Sequence, residues 1–121
     1  MTEILVAEDE PAVRSFVERA LRHAGHRVRA VGDGAAALEA LAEQPFDLLL
    51  TDIVMPVMDG IALALKASRD FPAMPIVLMT GYAEQHQRAH NLDALIDDVL
   101  SKPFSLDALL AAVQRALVRV G

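Results

Sequence analysis

Four short apolar runs in this chain each stop at residues that carry chemistry. Ile4-Leu5-Val6-Ala7 runs into Glu8 and Asp9, and Leu48-Leu49-Leu50-Thr51 runs into Asp52. Ile76-Val77-Leu78-Met79 runs into Thr80, and the run holding Ile96, Val99 and Leu100 leads to Lys102. Apolar runs this short, bounded by polar and turn residues, match strands hidden on both faces, as in a parallel sheet. Between them lie longer stretches with apolar residues at three- and four-residue spacing, the helical period. Strand and helix patterns in alternation predict an α/β chain made of βα units. In open sheets of that kind, ligands bind outside the carboxyl ends of the strands. The four runs would bring three carboxylates, one hydroxyl and one ammonium to that edge.

The predicted elements follow in order. A strand over 3–7 precedes a helix over 11–24, with Pro11 suited to a first turn and Gly25 as its stop. Val13, Phe16, Val17, Ala20, Leu21 and Ala24 form the buried stripe of that helix. Residues 27–31 alternate Arg27, Val28, Arg29, Ala30, Val31, as an edge strand covered on one face does. Gly32-Asp33-Gly34 is a turn, and a short alanine-rich helix over 35–43 is broken by Gln44-Pro45. The strand at 47–51 is hydrophobic on both faces and therefore central. A helix over 59–70 and a strand over 76–79 follow. The polar segment 84–93, with Gln85, His86, Gln87, Arg88, His90 and Asn91, is assigned as a short helix of poor periodicity. A strand over 97–101 and a helix over 105–119 close the chain. Ser105 is the N-cap of that helix, and Leu106, Leu109, Leu110, Val113 and Leu117 share one of its faces.

Composition removes several function classes. The 121 residues are expected to form one domain with a single core. No apolar stretch approaches the roughly 18 residues of a membrane span. No basic leader precedes the first strand, so a secretory signal is not expected. The chain has no cysteine, which excludes disulfide and thiol chemistry. A cytoplasmic location follows as the expectation. A net charge of −6 argues against nucleic acid as a partner. With 4% aromatics and no Trp, base stacking is not expected either. His23, His26, His86 and His90 are scattered and expected on the surface, and Met55 and Met58 are expected to serve packing.

The strand-end residues have a shared chemistry. Glu8, Asp9 and Asp52 repel one another when all are ionised, so some pKa values should rise unless a cation is present. Mg²⁺ suits such a site, because it takes a few carboxylates and keeps several waters. An ionised aspartate can act as a nucleophile and form an aspartyl phosphate. The Thr80 hydroxyl can donate to a phosphoryl oxygen, and the Lys102 ammonium is a compact point charge.

The segment Thr51-Asp52-Ile53-Val54-Met55-Pro56-Val57-Met58-Asp59-Gly60 resembles the phosphoacceptor segment of response-regulator receiver domains of two-component signalling. Leu5-Val6-Ala7-Glu8-Asp9 is similar to their acidic turn, Val77-Leu78-Met79-Thr80-Gly81 to their switch-threonine strand, and Lys102-Pro103-Phe104 to their lysine-proline motif. The resemblance covers essentially the whole chain. It implies a flavodoxin-like, doubly wound sheet of five parallel strands in the order 2-1-3-4-5. It implies that Asp52 accepts a phosphoryl group from a phosphohistidine on a sensor histidine kinase or phosphotransfer protein. Asp9, Asp52 and the Val54 carbonyl would hold Mg²⁺ directly, and Glu8 would act through water. Thr80 and Lys102 would bind the phosphoryl group, and Lys102-Pro103 would be a cis peptide.

Three positions depart from the family pattern. Val99 stands where the family often has the aromatic switch residue, and Tyr82 is the candidate replacement. Val54 stands where a polar side chain can orient a hydrolytic water, so slow self-dephosphorylation is expected. The acidic pair is Glu8-Asp9 instead of two aspartates. The resemblance implies a stand-alone signalling module, not an enzyme with an external substrate, and a monomer or weak dimer. Its output would go to an effector protein through the face made by segment 84–93, strand 97–101 and helix 105–119. Among such receivers it is most similar to the CpdR type of alphaproteobacteria, which act as adaptors in proteolysis. A phosphotransfer shuttle is the main alternative. An aspartyl-phosphate phosphatase is disfavoured because Val54 stands where those enzymes need a second acid. A flavin carrier is disfavoured because Glu8-Asp9-Glu10 replaces a phosphate-binding loop.

Overall fold

The computed structural model describes residues 2–81 and 96–120. The elements are β1 (Glu3–Ala7), α1 (Pro11–His23), β2 (Arg27–Val31), α2 (Gly34–Glu43), β3 (Leu48–Asp52), α3 (Gly60–Asp70), β4 (Ile76–Thr80), β5 (Asp98–Ser101) and α4 (Leu106–Val120). The helix expected over 84–93, Tyr82, His86 and His90 lie outside the described residues.

All five strands are parallel, in the order β2-β1-β3-β4-β5. The order reverses beside β1, so the carboxyl ends of β1 and β3 flank the crevice where ligands bind in such sheets. Side chains on a strand alternate between faces, and the alternation divides the core in two. Leu5, Leu49, Ile76 and Leu78 meet Ala37, Ala40 and Leu41 of α2 and Leu63, Ala64 and Ala67 of α3. Ile4, Val6, Leu48, Leu50, Val77 and Met79 meet Val17 and Leu21 of α1 and Leu109, Ala112, Val113 and Ala116 of α4. Continuous apolar runs are thus what a sheet covered on both faces requires. Met55 belongs to the first cluster and Met58 packs against it, as expected of packing residues.

Several boundaries differ by one residue from the sequence expectation, and the cause is side-chain capping. Asp33 and Asp59 stand outside their helices, and their carboxylates accept from Ala36 N at 2.8 Å and Ala62 N at 2.9 Å. These are N-caps, so α2 begins at Gly34 and α3 at Gly60. Ser105 caps α4 in the same way, accepting from Ala108 N at 3.0 Å. Asp47 is not in β3. Its carboxylate accepts from Glu3 N at 2.8 Å and its own N–H donates to Glu3 O at 2.8 Å, fastening the start of β1. Asp97 does the same for β4 through Ile76, at 2.8 and 2.7 Å. At the other end β3 extends to Asp52, which pairs with Met79, and β4 extends to Thr80.

The stripe assigned to α1 needs one correction. Val17 and Leu21 are buried and Val13 and Ala20 half-buried, but Phe16 is 42% exposed and Ala24 is exposed. Phe16 lies at the margin of the stripe, where its ring meets that of Phe104 at a centroid distance of 6.3 Å. Leu106 of α4 is likewise exposed, beyond the last core residue of its face.

Candidate functional site

β1 ends at Ala7, and Glu8 continues beside β2, its N–H donating to Val31 O at 3.0 Å. The Glu8 side chain is fully buried, whereas Asp9, the next residue, is exposed. Asp52 is the last residue of β3 and only 6% exposed. Carboxylate oxygens of Glu8, Asp9 and Asp52 all lie within 4.8 Å of one another. The strand register brings this about, since β1 and β3 are adjacent and Ala7 pairs with Thr51.

Lys102 reaches the same point from the far side of the sheet. Its N–H donates to Thr80 O at 2.6 Å, anchoring it to the end of β4, and Lys102-Pro103 is a cis peptide. Its Nζ donates to Glu8 Oε1 at 2.7 Å and to Asp52 Oδ2 at 2.9 Å. Asp52 Oδ1 accepts from Ile53 N at 2.8 Å, and Glu8 Oε2 accepts from Glu10 N at 3.1 Å. The ammonium partly offsets two buried charges that would otherwise repel, and such charge-assisted bonds are the strong ones. Even so, burial pushes the Glu8 carboxyl up to about 7, against the opposing pull of Lys102. Burial alone would lower the Lys102 pKa. Its bonds to Glu8 and Asp52 outweigh that and hold the ammonium above its ordinary range.

Thr80 closes the group at the end of β4. It is fully buried, and its Oγ1 has no hydrogen-bond partner among the described residues. A buried hydroxyl without a partner carries a desolvation cost of about 1–3 kcal/mol. The cost is removed when an acceptor arrives. Gly60 holds the loop after β3 close to this site. Its N–H donates to Ile53 O at 2.7 Å, and a Cβ there would collide with the Asp52 carbonyl.

A groove of about 900 Å³ opens over Asp52. Asp9, Asp52 and Lys102 lie in it, and its walls include Phe16, Val54 and Phe104. All-oxygen donors grouped this way fit a hard divalent cation. The Lys102 ammonium bonds two of the same three carboxylates, so a cation there would share them with it. Val54 is exposed on the groove. Val99 is half-buried in β5 and packs on the α2–α3 side of the core. Two contributors escaped the sequence reading. Phe16 and Phe104 form the aromatic wall, and Arg14 donates through Nη1 to Glu8 O at 2.9 Å. Neither was legible, because each depends on an approach between separate elements.

Residues 4–114 match the family model for the response regulator receiver domain. This chain belongs to that family. The receiver is 45% identical over 119 residues to the response regulator receiver protein CpdR of Brucella abortus, covering 98% of each chain. It is 39% identical to the transcriptional activator protein PfeR of Pseudomonas aeruginosa, covering 97% of this chain but 38% of that one. In three dimensions it matches a CheY-like receiver domain protein from Methanospirillum hungatei with a TM-score of 0.92 at 28% identity, over 99% and 96% of the two chains. It is therefore a response regulator of two-component signalling, closely related to CpdR. Among the described residues, no helix is long and apolar enough to cross a membrane.

Proposed function

We propose that this receiver accepts a phosphoryl group on Asp52 from a phosphohistidine and converts it into a change of protein partner. The observation that carries this reading is the buried Thr80 hydroxyl, which lacks a hydrogen-bond partner among the described residues and stands in the group that contains the Lys102–Asp52 ion pair. Asp52 is the nucleophile. One of its oxygens forms a bond to phosphorus as the donor's P–N bond breaks, and the imidazole leaves with that electron pair. Lys102 then donates to a phosphoryl oxygen, and the Thr80 hydroxyl gains the acceptor it lacks. Asp9, Asp52 and the Val54 carbonyl would hold Mg²⁺, with Glu8 acting through water, and the ion would offset the charge of the transferring group. The apolar walls of the groove suit a protein donor, either a sensor histidine kinase or a phosphotransfer protein. Output passes to an effector protein over the face of β5 and α4, in the cytoplasm. Roles for Tyr82 and Val99 in the switch belong to the same proposal.

The test is incubation with acetyl phosphate, with Mg²⁺ or with EDTA, read on a phosphate-affinity gel beside Asp52→Asn. A Mg²⁺-dependent shifted band that the variant lacks is expected. Its decay should be slow, since the Val54 side chain offers no polar atom to orient a water. A shifted band in Asp52→Asn equal to that of the wild type refutes the assignment of the acceptor.

A further inference from the structure

Glu8 and Asp52 are the buried members of the acidic group, and the backbone of Glu8 is held from two sides. The Glu8 N–H donates to Val31 O at 3.0 Å, which fixes it to β2. Its carbonyl accepts from Arg14 Nη1 at 2.9 Å, which fixes it to α1. The start of α1 has no side-chain cap, since Glu10 occupies the N-cap position without such a bond. The Arg14 side chain therefore ties the helix back to the acidic turn. It is also closely confined. A Cβ on Gly32 would come within 3.1 Å of Arg14 Nη1, so the turn after β2 leaves room for the guanidinium and little more.

With the backbone held at both polar groups, the Glu8 carboxylate has a defined direction. It is buried and bonded to Lys102, whereas its neighbour Asp9 is exposed. We infer that Arg14 is a positioning residue for the cation site: by clamping the Glu8 carbonyl to α1, it presets the acidic turn in the geometry that binds a divalent ion. The inference rests on the reading of Glu8, Asp9 and Asp52 as that site. Arg14 touches no ligand itself. It acts through the turn, as outer partners of metal ligands do when they fix ligand orientation.

The test is isothermal titration of Mg²⁺ into the full chain, with the thermal midpoint in EDTA as a measure of fold. Three variants separate the possibilities. Arg14→Ala removes the whole arm, Arg14→Met keeps the alkyl stem without a donor, and Arg14→Lys restores one donor. Arg14→Met should weaken Mg²⁺ binding by about tenfold, the lower end for loss of an outer partner, and Arg14→Lys should recover most of it. Arg14→Ala should behave as Arg14→Met. If it fails to fold, the Met and Lys pair alone decides the outcome. Wild-type affinity in Arg14→Met would overturn the inference. So would equal weakening in the Met and Lys variants, because the loss would then not follow donation to the carbonyl. A wild-type protein that takes up no Mg²⁺ would instead refute the cation site, and the inference with it.

Discussion

Val57 and Glu8 each sit in an environment that costs stability, for different reasons. Val57 has φ of 70° on a branched side chain that is 84% exposed. The left-handed region costs an L-residue roughly 1–2 kcal/mol, and there is little buried area to offset it. Glycine at this position loses about 0.5–1 kcal/mol in chain entropy, so Val57→Gly should stabilise the fold by about 0.5–1 kcal/mol in urea unfolding. Glu8 carries its cost as a function of pH. Its folded carboxyl titrates near 7 against 4.5 in the unfolded chain, so the folded state holds the proton more tightly. The stability this adds is complete below pH 4.5 and lost as pH rises through 7. In EDTA, the melting temperature should be higher at pH 5 than at pH 8, and Glu8→Gln should shrink that difference. An unchanged difference in the variant would assign the pH response to other groups.

At the level of strands and helices, small polar side chains decide where elements begin and what their edges expose. Asp33, Asp59 and Ser105 cap three helices, and Asp47 and Asp97 pin the starts of β1 and β4. These aspartates stand beside apolar runs, so the sequence pattern located the elements to within a residue or so while assigning Asp47 and Asp97 to strands. The β2 edge is guarded as well. In a parallel ladder, successive residues face opposite neighbours. Arg27 N donates to Thr2 O on the β1 side, so the Val28 carbonyl faces the open edge. There it accepts from Arg22 Nη2 of α1 at 3.1 Å. A strand edge with free carbonyls is a template for pairing with another chain. Arg22→Ala should therefore raise self-association at high protein concentration, read by sedimentation velocity. A variant that sediments as the wild type does would show that the guanidinium is not the guard.

Over the whole molecule, cation binding and folding draw on the same residues. Glu8 and Asp9 follow β1 and Asp52 ends β3, so they meet only in the folded sheet and a ligand for them stabilises the folded state by mass action. Mg²⁺ should raise the melting temperature in proportion to the logarithm of its concentration once it exceeds the dissociation constant. Asp52→Asn should abolish most of that rise while leaving the metal-free protein folded. A wild-type midpoint indifferent to Mg²⁺ would count against the site.

The parallel α/β fold, its βα units and the grouping of Glu8, Asp9, Asp52, Thr80 and Lys102 at one sheet edge were legible in the residues themselves. Strand periodicity and the position of each polar residue after its run are local properties, and local properties survive in a linear string. The burial of Glu8 beside an exposed Asp9 was not legible. It depends on a lysine 94 positions away and on the side of β1 to which that lysine is delivered. The partnerless Thr80 hydroxyl, the exposed Phe16 ring and the Arg14 clamp share that dependence. Each is set by how separate segments approach one another in space, and side-chain spacing along one element carries no information about that approach.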